Sequence, residues 1–133
     1  MPARPDYLST LGIDFLIRNV NGLIKDYNDF AGVEHGDKTA KIDPKILGVV
    51  FTMIQEYGGG PIDSQGTFMD RVKQMKGITV FPHYIKRNDT VFADAPQYGV
   101  PVVLHGHTSR SHRTVVEGLE GATEDFGRAI KLW

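Results

Sequence analysis

The stretch KILGVVFTMI, residues 45–54, decides the fold class of this 133-residue chain. It is a short and nearly continuous apolar run that is rich in β-branched residues, and such a run is typical of a strand covered on both faces. Strands of this kind occur in parallel sheets whose two faces are packed by helices. The stretch therefore predicts an α/β fold that contains a parallel sheet.

The sequence on either side of this stretch alternates between helical and extended patterns. Upstream, apolar residues at spacings of three and four predict a helix of about five turns, with a stripe made of Leu8, Leu11, Phe15, Leu16, Val20, Leu23, Ile24 and Tyr27. Asp6 or Ser9 is placed to cap this helix. The other predicted elements are a loop over 28–44, a helix over 65–76 capped by Asp63 or Ser64, a strand over 78–85, a loop or single helical turn over 86–99, a strand over 101–105 and a closing helix over 115–130. The order is typical of an α/β layer fold, and the length is that of a single domain over 1–133.

Composition excludes several classes of function. The chain has no cysteine, which excludes disulfides and thiol catalysis, and its formal net charge of −1 gives no chain-wide basic field. No stretch reaches the roughly 18 apolar residues that a membrane span requires, and the first residues have no apolar signal core. These features predict a cytoplasmic protein without membrane partners.

Four stretches resemble one protein family. They are PDYLSTLGIDFL (5–16), ILGVVFTM (46–53), RNDTVFADAPQYGVPVVL (87–104) and VVEGLEGATEDF (115–126). In this order they resemble the C-terminal half of the ParA-type partition ATPases, which are relatives of MinD in the deviant Walker group of P-loop NTPases. The resemblance implies part of a three-layer P-loop NTPase fold, with a mostly parallel sheet of about three strands flanked by helices. It also implies a role in plasmid or chromosome partitioning, with ATP and magnesium as the cofactors of the complete family.

The phosphate-binding loop of that family does not occur in this sequence. No G-x-x-x-x-G-K-[ST] motif is present, and the three glycines at 58–60 are followed by Pro61 and Ile62, which offer neither a lysine nor a hydroxyl to phosphate and Mg²⁺. The rate of phosphoryl transfer depends almost wholly on such groups. We therefore expect no catalytic residues, no cofactor held by this chain alone and no ATP hydrolysis by it.

The resemblance implies that the adenine-side loops of the family correspond to Met53 and to Lys86, Arg87 and Asn88. Both positions follow predicted strands, and the ligands of open α/β sheets bind beyond the carboxyl ends of the strands. An apolar side chain can cover one face of a base while an amide reads its edge, although Lys86 stands where the family usually has a proline. The alternative is that Met53 ends a buried strand and that 86–88 is a solvated turn.

Basic residues form a second candidate site. The resemblance implies that Arg71, Lys73 and Arg87 contact DNA without sequence preference, because phosphate contacts require charge rather than a motif. It also implies a partition partner protein. The alternative is an ordinary solvated surface, on which acidic residues balance the basic ones.

The stretch HGHTSRSH, residues 105–112, suggests a metal site through His105, His107 and His112. No carboxylate or cysteine nearby completes a ligand set, and no nucleophile elbow surrounds Ser109 or Ser111. We expect ordinary loop histidines and no metal.

A sheet of three strands leaves backbone groups without partners at its edges. The first helix would normally follow a strand, so we expect sheet members upstream of it to be missing. An unpaired edge at GVVFTM (48–53) predicts a homo-oligomer, because such an edge is a template for pairing with another chain. The alternative function is a stand-alone protein-interaction module that uses this exposed sheet edge.

Overall fold

A computed structural model describes residues 1–34, 41–104 and 109–132 of the chain. In chain order its elements are β1 (Pro2–Ala3), α1 (Tyr7–Glu34), β2 (Val50–Phe51), β3 (Glu56–Tyr57), β4 (Gly60–Pro61), α2 (Asp63–Lys73), α3 (Asp89–Tyr98), a 3₁₀ turn (Val102–Leu104) and α4 (Arg110–Ala129). The arrangement is mixed α/β with a small parallel sheet, as the apolar stretch at 45–54 predicts.

The apolar stretch lies in the middle of the sheet. On one side β1 pairs with β2 in parallel, with Pro2 opposite Val50 and Ala3 opposite Phe51. On the other side the segment 79–87 makes two parallel bridges, at Val80 and at Lys86. The prediction that GVVFTM forms an exposed edge is therefore wrong, because residues 1–3 and 79–87 occupy both of its sides.

The predicted strand over 78–85 is present only in part. The Phe81 N–H donates to the Val49 carbonyl at 2.8 Å, and the Ile85 N–H donates to the Phe51 carbonyl at the same distance. The step from Phe81 to Ile85 is four residues, whereas the step between their acceptors, Val49 and Phe51, is two residues. The 79–87 segment therefore bulges between the two bonds. Pro82 lies in the bulge, where its missing N–H interrupts the ladder.

The predicted strand over 101–105 is wrong within the described residues. Val102–Leu104 forms a 3₁₀ turn, and Val102 is buried against Val115 and Val116 of α4. His105 lies outside the described residues. The apolar character of this run thus reflects packing against a helix and not pairing in a sheet.

Two helices are longer than the sequence predicts. Helix α1 continues through residues 28–34, where Ala31 is buried and the Asn28 side chain bonds both the N–H and the carbonyl of Ile42. A complete helix, α3, occupies most of the predicted loop over 86–99 and ends at Gly99, which has the left-handed conformation that favours glycine.

The caps are in part those expected. The Asp6 carboxylate accepts the Ser9 N–H at 2.8 Å, so Asp6 is the cap of α1. Neither Asp63 nor Ser64 caps α2, because the helix begins at Asp63 and its cap position is Ile62.

Among the described residues, the side chains bury two apolar clusters. The larger lies between β2, α1 and α2 and contains Ile13, Val49, Phe51, Ile54, Met69 and Val72. The smaller is that of Val102, Val115 and Val116. The stripe predicted for α1 does not supply the larger cluster: most of its members are exposed, and Ile13 and Ile17 face the core instead.

The 79–87 segment is tied to α4 through His83. Asp125 is buried, and one of its carboxylate oxygens accepts the His83 backbone N–H at 2.9 Å and lies 3.0 Å from His83 Nδ1. The imidazole lies directly against Gly121, where any side chain would collide with it. This contact fixes α4 relative to the sheet.

None of the helices in 1–34, 41–104 and 109–132 is both long and apolar enough to cross a membrane.

Candidate functional site

A cleft of about 770 Å³ opens beyond the carboxyl ends of β2 and the 79–87 segment. Its walls are the end of the apolar stretch, the β3–β4 hairpin and the first turns of α3 and α4. It is lined by Ile54, Gln55, Glu56, Tyr57, Ile62, Lys86, Arg87, Asn88, Asp89, Ser111, Thr114 and Val115. The edge of a parallel sheet where the strands end is the usual ligand position in α/β proteins.

Three of the four predicted base-side residues line this cleft together. Lys86, Arg87 and Asn88 follow one another out of the 79–87 segment, because the Arg87 N–H donates to the Ile54 carbonyl at 2.8 Å and holds that segment alongside β2. Met53 is exposed but does not line the cleft. Its backbone has a φ of 60°, a left-handed conformation that turns the chain into the hairpin.

Gln65 of α2 holds the segment that follows β2. Its side-chain oxygen accepts the Gln55 N–H at 2.8 Å, and its amide nitrogen donates to the Met53 carbonyl at 3.3 Å. The Ile62 N–H donates to the Gln55 carbonyl at 2.9 Å. The start of α2 is thereby pinned beside the cleft.

Lys86 is held by an acidic partner. Its ammonium lies 2.8 Å from Glu56 Oε2, and the Tyr84 hydroxyl donates to Glu56 Oε1 at 2.7 Å. Burial raises the pKa of Glu56, but the hydrogen bonds from Lys86 and Tyr84 outweigh it and leave that pKa below its ordinary value. Burial and the bond to Glu56 together raise the pKa of Tyr84 to about 12. This wall of the cleft carries a carboxylate and a cation at neutral pH.

Arg87 is also paired. Its Nε and one terminal nitrogen donate to the Asp89 carboxylate at 2.8–3.2 Å, in a forked geometry on the cleft surface. The hydrogen bond from Arg87 holds the pKa of Asp89 below its usual range. The two basic side chains of the cleft, Lys86 and Arg87, therefore both form ion pairs with carboxylates of the chain.

Asn88 caps one helix and binds another. Its side-chain oxygen accepts the Val91 N–H at 3.0 Å, which starts α3, and its amide nitrogen donates to the Ser111 hydroxyl at 2.6 Å. The bond brings the first turns of α3 and α4 to one wall of the cleft, where helix N-termini favour negative charge. The amide that was expected to read a base edge is therefore engaged in the fold.

Tyr57 is the cleft residue that sequence reasoning missed. It stands on β3 with 86% of its surface exposed, next to the turn formed by Gly58 and Gly59, both of which have positive φ. Two such residues are typical of the tight turn of a two-residue hairpin. The sequence EYGGG at 56–60 could have indicated Tyr57, because an aromatic residue at the start of a hairpin turn remains in solvent unless another group covers it.

The candidate DNA-contacting residues lie in two places. Arg71 and Lys73 are exposed on α2 and do not line the cleft, whereas Arg87 does. The Arg71 guanidinium lies 5.3 Å from the centre of the Phe68 ring, and the Lys73 ammonium lies 3.1 Å from Asp70. Both side chains therefore contact other residues of their own helix.

The histidine-rich stretch is described only in part. His105 and His107 lie outside the described residues, while His112 is buried in α4 with its Nε2 3.2 Å from the Val102 carbonyl. No group of three or more His, Asp or Glu side chains that could hold a metal ion occurs in the described part of the chain.

Comparison of the chain with protein-family models, with curated proteins and with solved structures found no match.

Proposed function

We propose that this chain is the base-binding portion of a ParA-like partition ATPase, built as part of a three-layer P-loop fold and working in the cytoplasm. The observation that supports the proposal is the cleft at the carboxyl ends of the parallel segments, lined by Lys86, Arg87 and Asn88. The resemblance implies that the adenine would bind on this side. Hydrolysis would require the phosphate loop and magnesium of a complete site, so we expect this chain alone to bind nucleotide weakly and to leave ATP intact.

Tyr57 is the side chain best suited to hold the base. Lys86 replaces the family's proline, and the exposed Tyr57 on the β3–β4 hairpin can supply the stacking surface instead. Stacking of a base on an aromatic ring contributes about 1–3 kcal/mol. Lys86 and Arg87 are already paired with Glu56 and Asp89, so a phosphate must compete with these carboxylates for the two cations. Its net contribution to the binding free energy is therefore small. Most of the affinity should therefore come from the base.

A titration with a ribose-labelled fluorescent ATP tests the proposal. Tyr57→Ala should weaken binding about tenfold or more, while Tyr57→Phe should leave it within about twofold, since the ring is retained. Lys73→Ala is the matched control, because Lys73 is exposed but does not line the cleft. Unlabelled adenosine should compete nearly as well as ATP.

Two outcomes contradict this function. Equal affinity of wild type and Tyr57→Ala removes the stacking role, and clear turnover of Mg²⁺-ATP that depends on Lys86 or Arg87 would indicate catalytic machinery that we do not expect.

DNA contact is a second candidate function, favoured by the exposure of Arg71, Lys73 and Arg87. Binding of a random-sequence duplex should fall steeply between 50 and 200 mM salt, on the order of tenfold or more for a few phosphate contacts. The triple alanine variant should bind more weakly and show a shallower salt dependence. Binding that ignores both salt and these substitutions would reject this surface.

The alternative of a different class is a protein-interaction module, with the partition partner protein as one occupant. Within the described residues the sheet edges are β1 and the 79–87 segment, and not β2; β1 is only two residues long with Pro2 in it, and the 79–87 segment bulges at Pro82. A short edge with proline is poorly suited to strand addition, which favours the nucleotide proposal over this one.

A further inference from the structure

Helix α1 has two apolar faces, and the described part of the chain buries only one of them. Ile13 and Ile17 pack on the core between the sheet and α2. The opposite side carries a second row of large apolar side chains, each between 47% and 77% exposed. We name this row the outer stripe; it consists of Leu8, Leu11, Phe15, Leu23, Tyr27 and Phe30.

The outer stripe is larger than an ordinary surface patch. Six side chains of this size and exposure leave on the order of 800 Å² of surface in water, since large apolar and aromatic residues bury about 150–250 Å² each. The largest apolar patch of a typical monomer is about 300–600 Å², whereas a standard protein interface buries about 800 Å² on each partner. The stripe has the area that a stable dimer needs.

The spacing of the stripe is symmetric about Asn19. Leu8 and Phe30 lie eleven residues before and after it, Leu11 and Tyr27 eight, and Phe15 and Leu23 four. The mean step is close to the 3.6 residues of a helical turn, so the row as a whole stays on one side of α1, and the steps of four between Leu11 and Tyr27 slant it across that side. A row of this kind is self-complementary when two copies pack antiparallel.

We propose that α1 forms a homodimer through the outer stripe, antiparallel to α1 of a second copy, with the two-fold axis at Asn19. Leu8 then packs against Phe30 of the second copy, and Phe15 against its Leu23. The two Asn19 amides face each other at the axis, where one polar pair can fix the register of a helix interface. This inference does not depend on nucleotide binding.

The charge of α1 and the position of its glycines favour a second copy over other occupants. Acidic residues outnumber basic ones on α1, with Asp14, Asp26, Asp29 and Glu34 against Arg18 and Lys25. This balance disfavours an anionic membrane surface or DNA. Gly12 and Gly22 have no atoms near their missing side chains, so a partner helix can approach closely.

The cysteine-free sequence allows a direct test by single-cysteine crosslinking. Asn19→Cys should form a disulfide-linked dimer under mild oxidation, because the two copies of residue 19 meet at the axis. Asn21→Cys is the matched control: it is also exposed on α1, but it lies about 160° around the helix from the centre of the stripe, and it should crosslink much less.

Sedimentation across a dilution series gives an independent readout. The wild-type chain should be dimeric, and Phe15→Glu with Leu23→Glu should weaken the dimer at least about 100-fold. Both side chains are exposed, so unchanged circular dichroism is expected. Leu104→Glu, at an exposed apolar position outside α1, should leave the dimer intact.

Three results would overturn the proposal. They are a monomer at every concentration, a dimer that resists the double substitution, and equal crosslinking at positions 19 and 21. If the monomer instead floats with phosphatidylglycerol vesicles and loses this property in the double variant, the stripe is a membrane-binding surface and not a dimer interface.

Discussion

Gly121→Ala provides a sharp test of how α4 is held against the sheet. A β-carbon at this position would stand 2.5 Å from His83 Cδ2 and 2.6 Å from His83 Cγ, closer than nonbonded carbon atoms approach. The imidazole cannot rotate freely out of the way, since its Nδ1 lies 3.0 Å from the buried Asp125 carboxylate. The new methyl group must therefore displace the ring and disturb that contact.

The expected loss of stability follows from three opposing contributions. Overpacking typically costs about 1–3 kcal/mol, and weakening one hydrogen bond to a buried carboxylate costs about 1 kcal/mol more. Replacing a helical glycine by alanine contributes about 1 kcal/mol in the stabilising direction. The free energy of unfolding should therefore fall by about 1–3 kcal/mol.

Urea denaturation followed by circular dichroism, at one fixed protein concentration, measures this change. Gly66→Ala in α2 is the matched control: the same substitution meets no atom within 4 Å and should stabilise the protein by about 0.5–1 kcal/mol. Combining Gly121→Ala with His83→Ala should recover part of the loss, since the colliding ring is removed. The reasoning fails if Gly121→Ala is as stable as Gly66→Ala.

Three further changes test the cleft and the turn at Met53 beside it. The pKa of Glu56 is lowered in the folded state, so its carboxylate stabilises the fold above its ordinary pKa of 4.5, and this stabilisation is lost as pH falls through the lower folded value. Glu56→Gln should therefore reduce the loss of stability at acidic pH, measured by urea titrations at several pH values. Asn88→Ala should cost about 1 kcal/mol, while Asn88→Asp keeps the capping oxygen and should cost less; equal losses would argue against capping. Met53→Gly should stabilise the protein by about 0.5–1 kcal/mol, because glycine adopts a φ of 60° without strain, and a destabilised variant would show that the side chain packs more than its exposure suggests.

The centre of the fold could be predicted because its burial leaves a clear local pattern. Residues 46–54 form a nearly continuous apolar run, and Val49, Phe51 and Ile54 are fully buried. The run at 102–104 has a similar composition but forms a 3₁₀ turn. Its burial comes from α4, which is a tertiary contact that a short apolar run cannot distinguish from a strand.

The sequence pointed to residues that line the cleft, but not to the electrostatics of the cleft. The resemblance, together with the rule that ligands bind where parallel strands end, led to residues 86–88, which line the cleft. The partner of Lys86 is Glu56, thirty residues away on the β3–β4 hairpin, which is not among the elements predicted from the sequence. Without that hairpin there was no reason to place an acid against Lys86 or to single out Tyr57.

Helix α1 shows why periodicity alone could not identify the buried face. The predicted stripe contains Leu8, Leu11 and Phe15, which are exposed, whereas Ile13 and Ile17 face the core. Apolar residues cover most of the circumference of this helix, so a spacing of three and four fits both sides equally well. A helix that is apolar nearly all round is normally buried all round, and the described part of the chain covers only one side of α1. The apolar circumference that made the buried face ambiguous is therefore also the physical reason to expect a partner on the outer stripe.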